Sequence, residues 1–574
     1  MKNTVLKIFL LMGFGVLTTC QQPDDLTPPV SRKGLNSITV SFYHGEGEFT
    51  VETPDDGFDL VIPVPYYYPE SSENQVTDDS LKRMRVRANL DDNVTINPPL
   101  LIMDLTQTNV ITITNQRKES VQYTLRGEIR KSSACAIEDF SIPSLGVSGI
   151  VNETTKTISL PNFEAEEPVL ANIRLSWHAT VSPDPGTTAF SYDEDLELTV
   201  TAHDGVTQSV YTVKKEVPDK LPLGIRPGSA KIMFAMKLKA DLGVTVDHFT
   251  TGIAATGDYV IINTRNQNSV YIDAKTGEKK GEIDLGDVKG NLTNFYTTAD
   301  AAGNVVICNL AGEFPGATFE PVFKVWRLTS IAGATELFIE WTPEASIGRK
   351  LSINGNIDGN AIITAPLYMS PANSKFARWT VVDGVLTSQT PEIITIGGGH
   401  AGWTTNCDIM YTSATSLSSD YFAAAYSNNI LSWVSGASDQ ISKSLNRTIP
   451  DDGNWITNAL DYVEFNKAKF AALNWINSFT WGSSDIIWLM DVSTDATFTG
   501  NLSFQSESSP AIIWISERNA YGPRGSGFAS PESENANGAG DVALRVSPDG
   551  YYLYLYFMFC NGFVVGVQFD CIDM

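Results

Sequence analysis

The side chains here best suited to recognising a ligand sit in a few polar stretches of the C-terminal half. Gly397-Gly398-Gly399-His400 leads to Trp403 and then Asp408; Asn454-Trp455 and Arg349 stand in similar connecting stretches. A flat indole covers the C–H face of a sugar ring, and planar amide, imidazole or guanidinium groups satisfy its hydroxyls. Trp403, Trp455, Asn454 and His400 are of those types, and Arg349 adds a cation. Asp408 follows Cys407 on an apolar run and could face a central channel, either as a reacting carboxylate or as a satisfied structural one. Each aromatic has a competing role in packing between neighbouring elements.

Other chemistries lack their motifs. The five histidines are His44, His178, His203, His248 and His400. None forms H-E-x-x-H, and no two share metal-ligand spacing, so neither metal nor cofactor is expected. There is no G-x-S-x-G nucleophile elbow. The Gly397–His400 run lacks the Lys-Ser/Thr of a phosphate loop and reads as a tight turn. With 66 acidic residues, no carboxylate pair stands out as a glycosidase dyad.

Composition bounds the partners. The 574 residues are 42% hydrophobic and 18% charged, which supports several packed domains rather than disorder. A net charge of −26 repels phosphates and argues against nucleic acid. The six cysteines are far apart and include no C-x-x-C pair, against a zinc site or a disulfide scaffold. Asn561-Gly562 reads as a two-residue hairpin turn that sets Cys560 opposite Phe563 and leaves Cys571 near Tyr552.

The elements that must position these residues are short strands. Gly252–Leu285 parses into four: Gly252–Ala255, Tyr259–Asn263, Ser269–Asp273 and Gly281–Leu285, separated by polar turns. Similar units start near Asn294, Leu351, Trp403, Ala459 and Asp541. Three of them carry a Gly-containing turn after the first strand: Ala301–Asn304, Ile357–Asn360 and Ser547–Gly550. The Trp403 and Ala459 units have Leu417–Asp420 and Asn466-Lys467 instead. Four-stranded units at roughly 40–50-residue spacing predict a β-propeller of six blades, or seven. The last unit is one strand short, and Lys231–Leu238 can supply the missing outer strand and close the ring. Connections from each outer strand to the next inner strand then share one face, which carries His248, Asn294, Arg349, His400, Trp403, Asn454 and Trp455.

Upstream, Ser37–Glu128 alternates polar and apolar residues in six short runs, and a second set begins near Ser132. The two sets end alike, in Tyr123-Thr124-Leu125 and Tyr211-Thr212-Val213 after a strand and a polar turn. This predicts a duplicated Ig-like sandwich. Pro65-Tyr66-Tyr67-Tyr68-Pro69 reads as a rigid loop or as a sugar-stacking one.

The first residues read as a processing signal: Lys2 and Lys7, then the apolar Ile8–Leu17, then Leu17-Thr18-Thr19-Cys20. The small residues ending in cysteine resemble the lipobox of bacterial lipoproteins, which implies lipidation of Cys20. Asp24-Asp25 just after it resembles the surface-export signal of Bacteroidota lipoproteins. The whole resembles lipoproteins of that phylum, of unknown function, with N-terminal Ig-like modules and a C-terminal propeller. The resulting organisation is all-β: signal 1–20, linker 21–33, Ig-like modules 34–131 and 132–218, a Pro-rich hinge 219–229 and a six- or seven-bladed propeller 230–574. The resemblance implies an outer-membrane, lipid-anchored protein, surface-exposed or periplasm-facing. Its expected role is non-catalytic: binding glycan or scaffolding a glycan-uptake complex through the propeller face. The alternatives are a propeller glycosidase or polysaccharide lyase, and an adhesion or protein-interaction module.

Overall fold

The structure is a computed structural model. It describes residues 34–573 apart from 162, 166, 245–249, 315–316, 370–372, 399–406, 426–428, 447–454, 478–485, 503–507, 517–539 and 561. With 52% strand and 2% helix, the all-β expectation holds. The chain divides into two compact units between Ser132 and Ser133.

In the first unit, period-2 alternation builds two four-stranded sheets. Leu60, Ile62 and Val64 point inward from the strand Asp59–Pro65, while Asp59 and Pro63 stay exposed. One sheet runs Phe49–Glu52, Leu35–Ser41, Met84–Leu90, Ile102–Met103; the other runs Asp59–Pro65, Ser120–Arg130, Asn109–Thr114, Thr95–Asn97. Both contribute to one core, which includes Ile38, Val86, Ile111 and Leu125. Tyr68 packs edge-on against Phe42 (5.2 Å) and Phe49 (5.9 Å), so this member of the tyrosine cluster belongs to the core.

The second unit opens with a related pair of sheets, of three and five strands, over Phe140, Tyr192, Leu198 and Tyr211. The repeat seen in the sequence is also a repeat of register. Ile111 pairs with Tyr123 and Leu198 with Tyr211, and both tyrosines are buried.

Among the described residues, six further sheets of four or five strands follow, numbered I to VI, besides a two-stranded ribbon of Glu313–Phe314 and Ala317–Thr318. Sheet I is Thr250–Ala255, Tyr259–Thr264, Ser269–Asp273 and Lys279–Ile283, hydrogen-bonded in chain order. Sheets II to VI begin with Tyr296–Ala299, Ser352–Gly355, Cys407–Tyr411, Leu460–Phe465 and Gly540–Val546. These first strands touch in sequence, I to II, II to III, III to IV, IV to V and V to VI, and sheet VI touches sheet I. Sheet VI takes its fourth strand from Lys231–Lys237, paired antiparallel with Phe563–Asp570, as its missing strand required. This pairing covers an edge that would otherwise be open.

Two details depart from the sequence reading. Phe557 pairs with Val565 and Met558 with Val564, a register that sets Phe559, not Cys560, across from Phe563. Cys571 does lie beside Tyr551 and Tyr552, its N–H donating to Tyr551 O at 3.1 Å. Residues 219–229, read as a hinge, are pinned: Arg226 makes two bonds to Asp570 (2.7 and 2.6 Å), and Asn466 Nδ2 donates to the carbonyls of Leu221 and Gly224, each at 2.9 Å. Asn466 and Lys467 both have positive φ (43° and 64°), so this pair turns the first hairpin of sheet V without glycine. The strand Ile512–Ile515 joins sheet V on its outer side, paired antiparallel with Ile486–Asp491.

Candidate ligand-binding site

The connections between sheets II and III and between I and II carry the site. Gly348 has φ +105°, and a Cβ there would lie 1.9 Å from Asn309 O, so only glycine lets the chain pass. Asn309 is fixed in turn: its Nδ2 donates to Val322 O (2.7 Å) and its Oδ1 accepts from Lys324 N–H (2.7 Å). The next two residues, Arg349 and Lys350, are thereby aimed at a cavity of about 150 Å³. Arg265, just past the second strand of sheet I, enters from another side.

Asn294 positions Arg265. It is fully buried, and its Nδ2 donates to Thr264 O (2.9 Å), Gln267 O (3.1 Å) and Asn263 Oδ1 (3.3 Å). Its Oδ1 accepts from the N–H groups of Gly290 (2.9 Å) and Asn266 (3.1 Å). These partners flank residue 265 on both sides. Asn294→Ala orphans several buried polar groups, and we expect it to cost about 2–3 kcal/mol, read as a lower midpoint in urea unfolding.

The two guanidinium groups gather over one ring. Arg265 lies 4.8 Å and Arg349 5.8 Å from the centroid of buried Phe295, and Arg349 lies 6.0 Å from Tyr368. Cation–π attraction holds them there. Burial pulls both below the usual guanidinium range, Arg265 to about 10, with the charge of Arg349 adding to the shift. Among the described residues, Arg349 has no carboxylate within ion-pair distance. Lys350 is different: it is buried, pairs with Asp541 (2.7 Å) and donates to Gly540 O (2.9 Å). Leu292, Leu310 and Phe319 form an apolar wall, and Thr251 and Asn458 line the cavity as well.

Three aspartates recur, each the second residue of a first strand: Asp408 and Asp541, buried, in sheets IV and VI, and Asp461, partly buried, in sheet V. Each accepts a backbone N–H from the following sheet: Leu460 to Asp408 (3.0 Å), Leu544 to Asp461 (2.7 Å) and Ile253 to Asp541 (2.8 Å). Ser352 also donates to Asp408, and Tyr296 to Asp541 (3.1 Å). Burial pushes Asp408 up to about 6 and Asp461 to about 7, and it raises Asp541 as well. These carboxylates join sheet to sheet. Among the described residues, no three His, Cys, Asp or Glu side chains converge as a metal site needs.

Of the residues singled out from sequence, Arg349 lines the cavity, while Asp408 lies in the carboxylate layer between sheets. Trp455 begins a short strand paired with Asn477. Cys20, His248, His400, Trp403 and Asn454 fall outside the described residues. Gly397 makes a close approach, bridged to Gln440 with a Cβ there 2.3 Å from the Gln440 side chain, while Gly399 and His400 of the expected tight turn fall outside the described residues. Arg265 and Lys350 were not singled out. A lone cation after a strand reads as surface, and only the neighbouring Gly348 hints that position 350 is crowded.

Comparisons with known proteins carry no chemical assignment. Residues 15–127 match the model of a domain of unknown function (DUF5018), and residues 137–215 that of another (DUF8499). No curated protein matches the chain. Among solved structures, a DUF4623 family protein from Bacteroides eggerthii is 15% identical, with a TM-score of 0.43, covering 77% of this chain and 99% of its own. The model of a further domain of unknown function (DUF8500) matches residues 233–570, sheets I to VI with the closing strand, and over that majority of its length the chain belongs to the DUF8500 family.

Proposed function

We propose that the protein is a surface lipoprotein anchored through Cys20, with Ig-like modules preceding a six-bladed β-propeller that binds glycan without turning it over. The six consecutive sheets, the cycle of contacts between their first strands and the fourth strand supplied from Lys231–Lys237 support the propeller reading. The observation that carries the binding reading is the cavity itself. It is concave, part apolar and part cationic, and it is built from the connections into the first strands of sheets II, III and V. A few fixed polar groups set against an apolar wall are what a small-ligand site requires. The carboxylates nearest it are engaged in holding backbone N–H groups, which favours binding over hydrolysis.

Affinity gel electrophoresis of residues 21–574 through a panel of plant and host polysaccharides tests this. Retardation by at least one glycan, reduced in Arg349→Ala, is expected. Unchanged mobility in every gel contradicts it. Release of the Cys20→Ala variant from the membrane fraction tests the anchor.

A further inference from the structure

Resting on the lipid-anchor reading, we infer that the outer face of one sheet of the first unit lies against the membrane and holds the phosphates of anionic lipids with Arg83, Arg85 and Arg87. The row follows from strand geometry. Within Met84–Leu90, period-2 alternation sends Met84 and Val86 into the core and turns Arg85 and Arg87 outward, with exposed Arg83 just before them. Arg85 and Arg87, two residues apart on a strand, stand about 7 Å from each other. Lys82 to Arg87 thus places four cations in six positions, in a chain whose acidic residues outnumber basic ones by 66 to 40. Lys82 is held by Asp79 (2.6 Å) and Arg87 by Glu48. Arg83 and Arg85 form no ion pair among the described residues, and their guanidinium groups lie 3.9 and 5.9 Å from the Tyr43 ring, which gathers them on one side.

The surroundings of the row fit a headgroup layer. Arg85 pairs with Ser41 and Arg87 with Thr39, so small hydroxyl residues flank the cations across the sheet. Neither Leu35–Ser41 nor Met84–Leu90 contains a carboxylate. On the other side Arg85 pairs with Ile102, which is 49% exposed, and Leu101 before it is 74% exposed. Cations beside exposed aliphatic side chains are what a membrane interface takes: the guanidinium fork matches a phosphate, and the aliphatic groups enter the headgroup boundary. The tether supplies the approach. Fourteen residues lie between Cys20 and Leu35, which begins a strand of this same sheet, and such a length spans at most about 50 Å. A net charge of −26 opposes approach from solution. A lipid on Cys20 overcomes that by proximity, and the short-ranged contacts of the arginines then set which face turns to the bilayer.

Co-sedimentation of residues 21–574, which carry no lipid, decides the matter, with vesicles of phosphatidylcholine alone and of phosphatidylcholine mixed with an equal part of phosphatidylglycerol. Binding is expected to the anionic vesicles only, and about 0.5 M salt should release it. The triple variant Arg83→Gln, Arg85→Gln, Arg87→Gln is expected to lose about 10- to 100-fold in partitioning. Leu101→Ser with Ile102→Ser should weaken binding and leave its salt dependence in place. All five positions are exposed, and unfolding midpoints of the variants separate lost binding from lost structure. No binding to anionic vesicles, or equal binding by the folded triple variant, overturns the inference. Retardation by an acidic polysaccharide that the triple variant loses, with no vesicle bound, also overturns it and gives the face to a glycan. The anchor is judged separately. The face alone is weak, so the Cys20→Ala variant in cells should leave the membrane fraction on a salt wash. Its retention there overturns the anchor and leaves the vesicle result to decide the face.

Discussion

Asp541→Ala is expected to destabilise the second unit by about 3–5 kcal/mol, the cost of breaking a buried, hydrogen-bonded ion pair. Asp541 is 1% exposed and ties three sheets together: Ile253 N–H of sheet I, the Tyr296 hydroxyl of sheet II and the Lys350 ammonium at the entry to sheet III. Removing its carboxylate leaves a buried ammonium 4.7 Å from the Tyr296 ring without its ion-pair partner. Lys350→Met should cost less, because a neutral Asp541 can still accept from Ile253 and Tyr296. Urea unfolding followed by tryptophan fluorescence measures both. A cost below about 1 kcal/mol for Asp541→Ala would mean that the first strands are not held together as described.

Stability is expected to fall as pH rises from about 4 to 7, and Asp461 should account for about 2–4 kcal/mol of that fall. An unfolded aspartate releases its proton near 3.8, whereas Asp461 in the fold holds its proton to about 7 and Asp408 to about 6. Between those values the folded state binds protons that the unfolded chain has lost, so acidification favours the fold. Burial is the main cause, and the charges of Asp408 and Asp541 add to it for Asp461, against the N–H bonds from Leu544 and Tyr462. Repulsion within a chain of net charge −26 acts in the same direction, so the comparison must be with Asp461→Asn, which keeps the shape and cannot titrate. Melts at pH 5 and pH 8 should show a smaller difference in that variant. An equal difference in both proteins would remove the assignment.

Much of the fold was legible because strands announce themselves locally. The four strands within Gly252–Leu285 and the orphan run at Lys231 depend on alternation and turn residues that lie next to each other in sequence. The hairpin at Asn466-Lys467 was missed as an equivalent turn because its positive φ angles come from asparagine and lysine rather than glycine. The hinge reading of 219–229 rested on prolines, and the bonds that pin it come from residues more than 200 positions away. The site was less legible for the same reason. Arg265, Arg349 and Lys350 meet only when three sheets come together, and the charge of Lys350 is cancelled by a residue far along the chain. One signal was available in the sequence: Asp408, Asp461 and Asp541 each stand second in an otherwise largely apolar strand, a repeated acid that marks sheet-to-sheet contact.

The most direct test of the account is hydrogen–deuterium exchange of residues 21–574 with and without a polysaccharide that retards the protein in affinity gels. The account predicts slowed exchange in peptides covering 264–267, 290–295 and 345–350, the segments that carry Arg265, Phe295 and Arg349. Unchanged exchange there, or slowing confined to the tyrosine loop at 65–69, would contradict it and move the binding surface to the first unit.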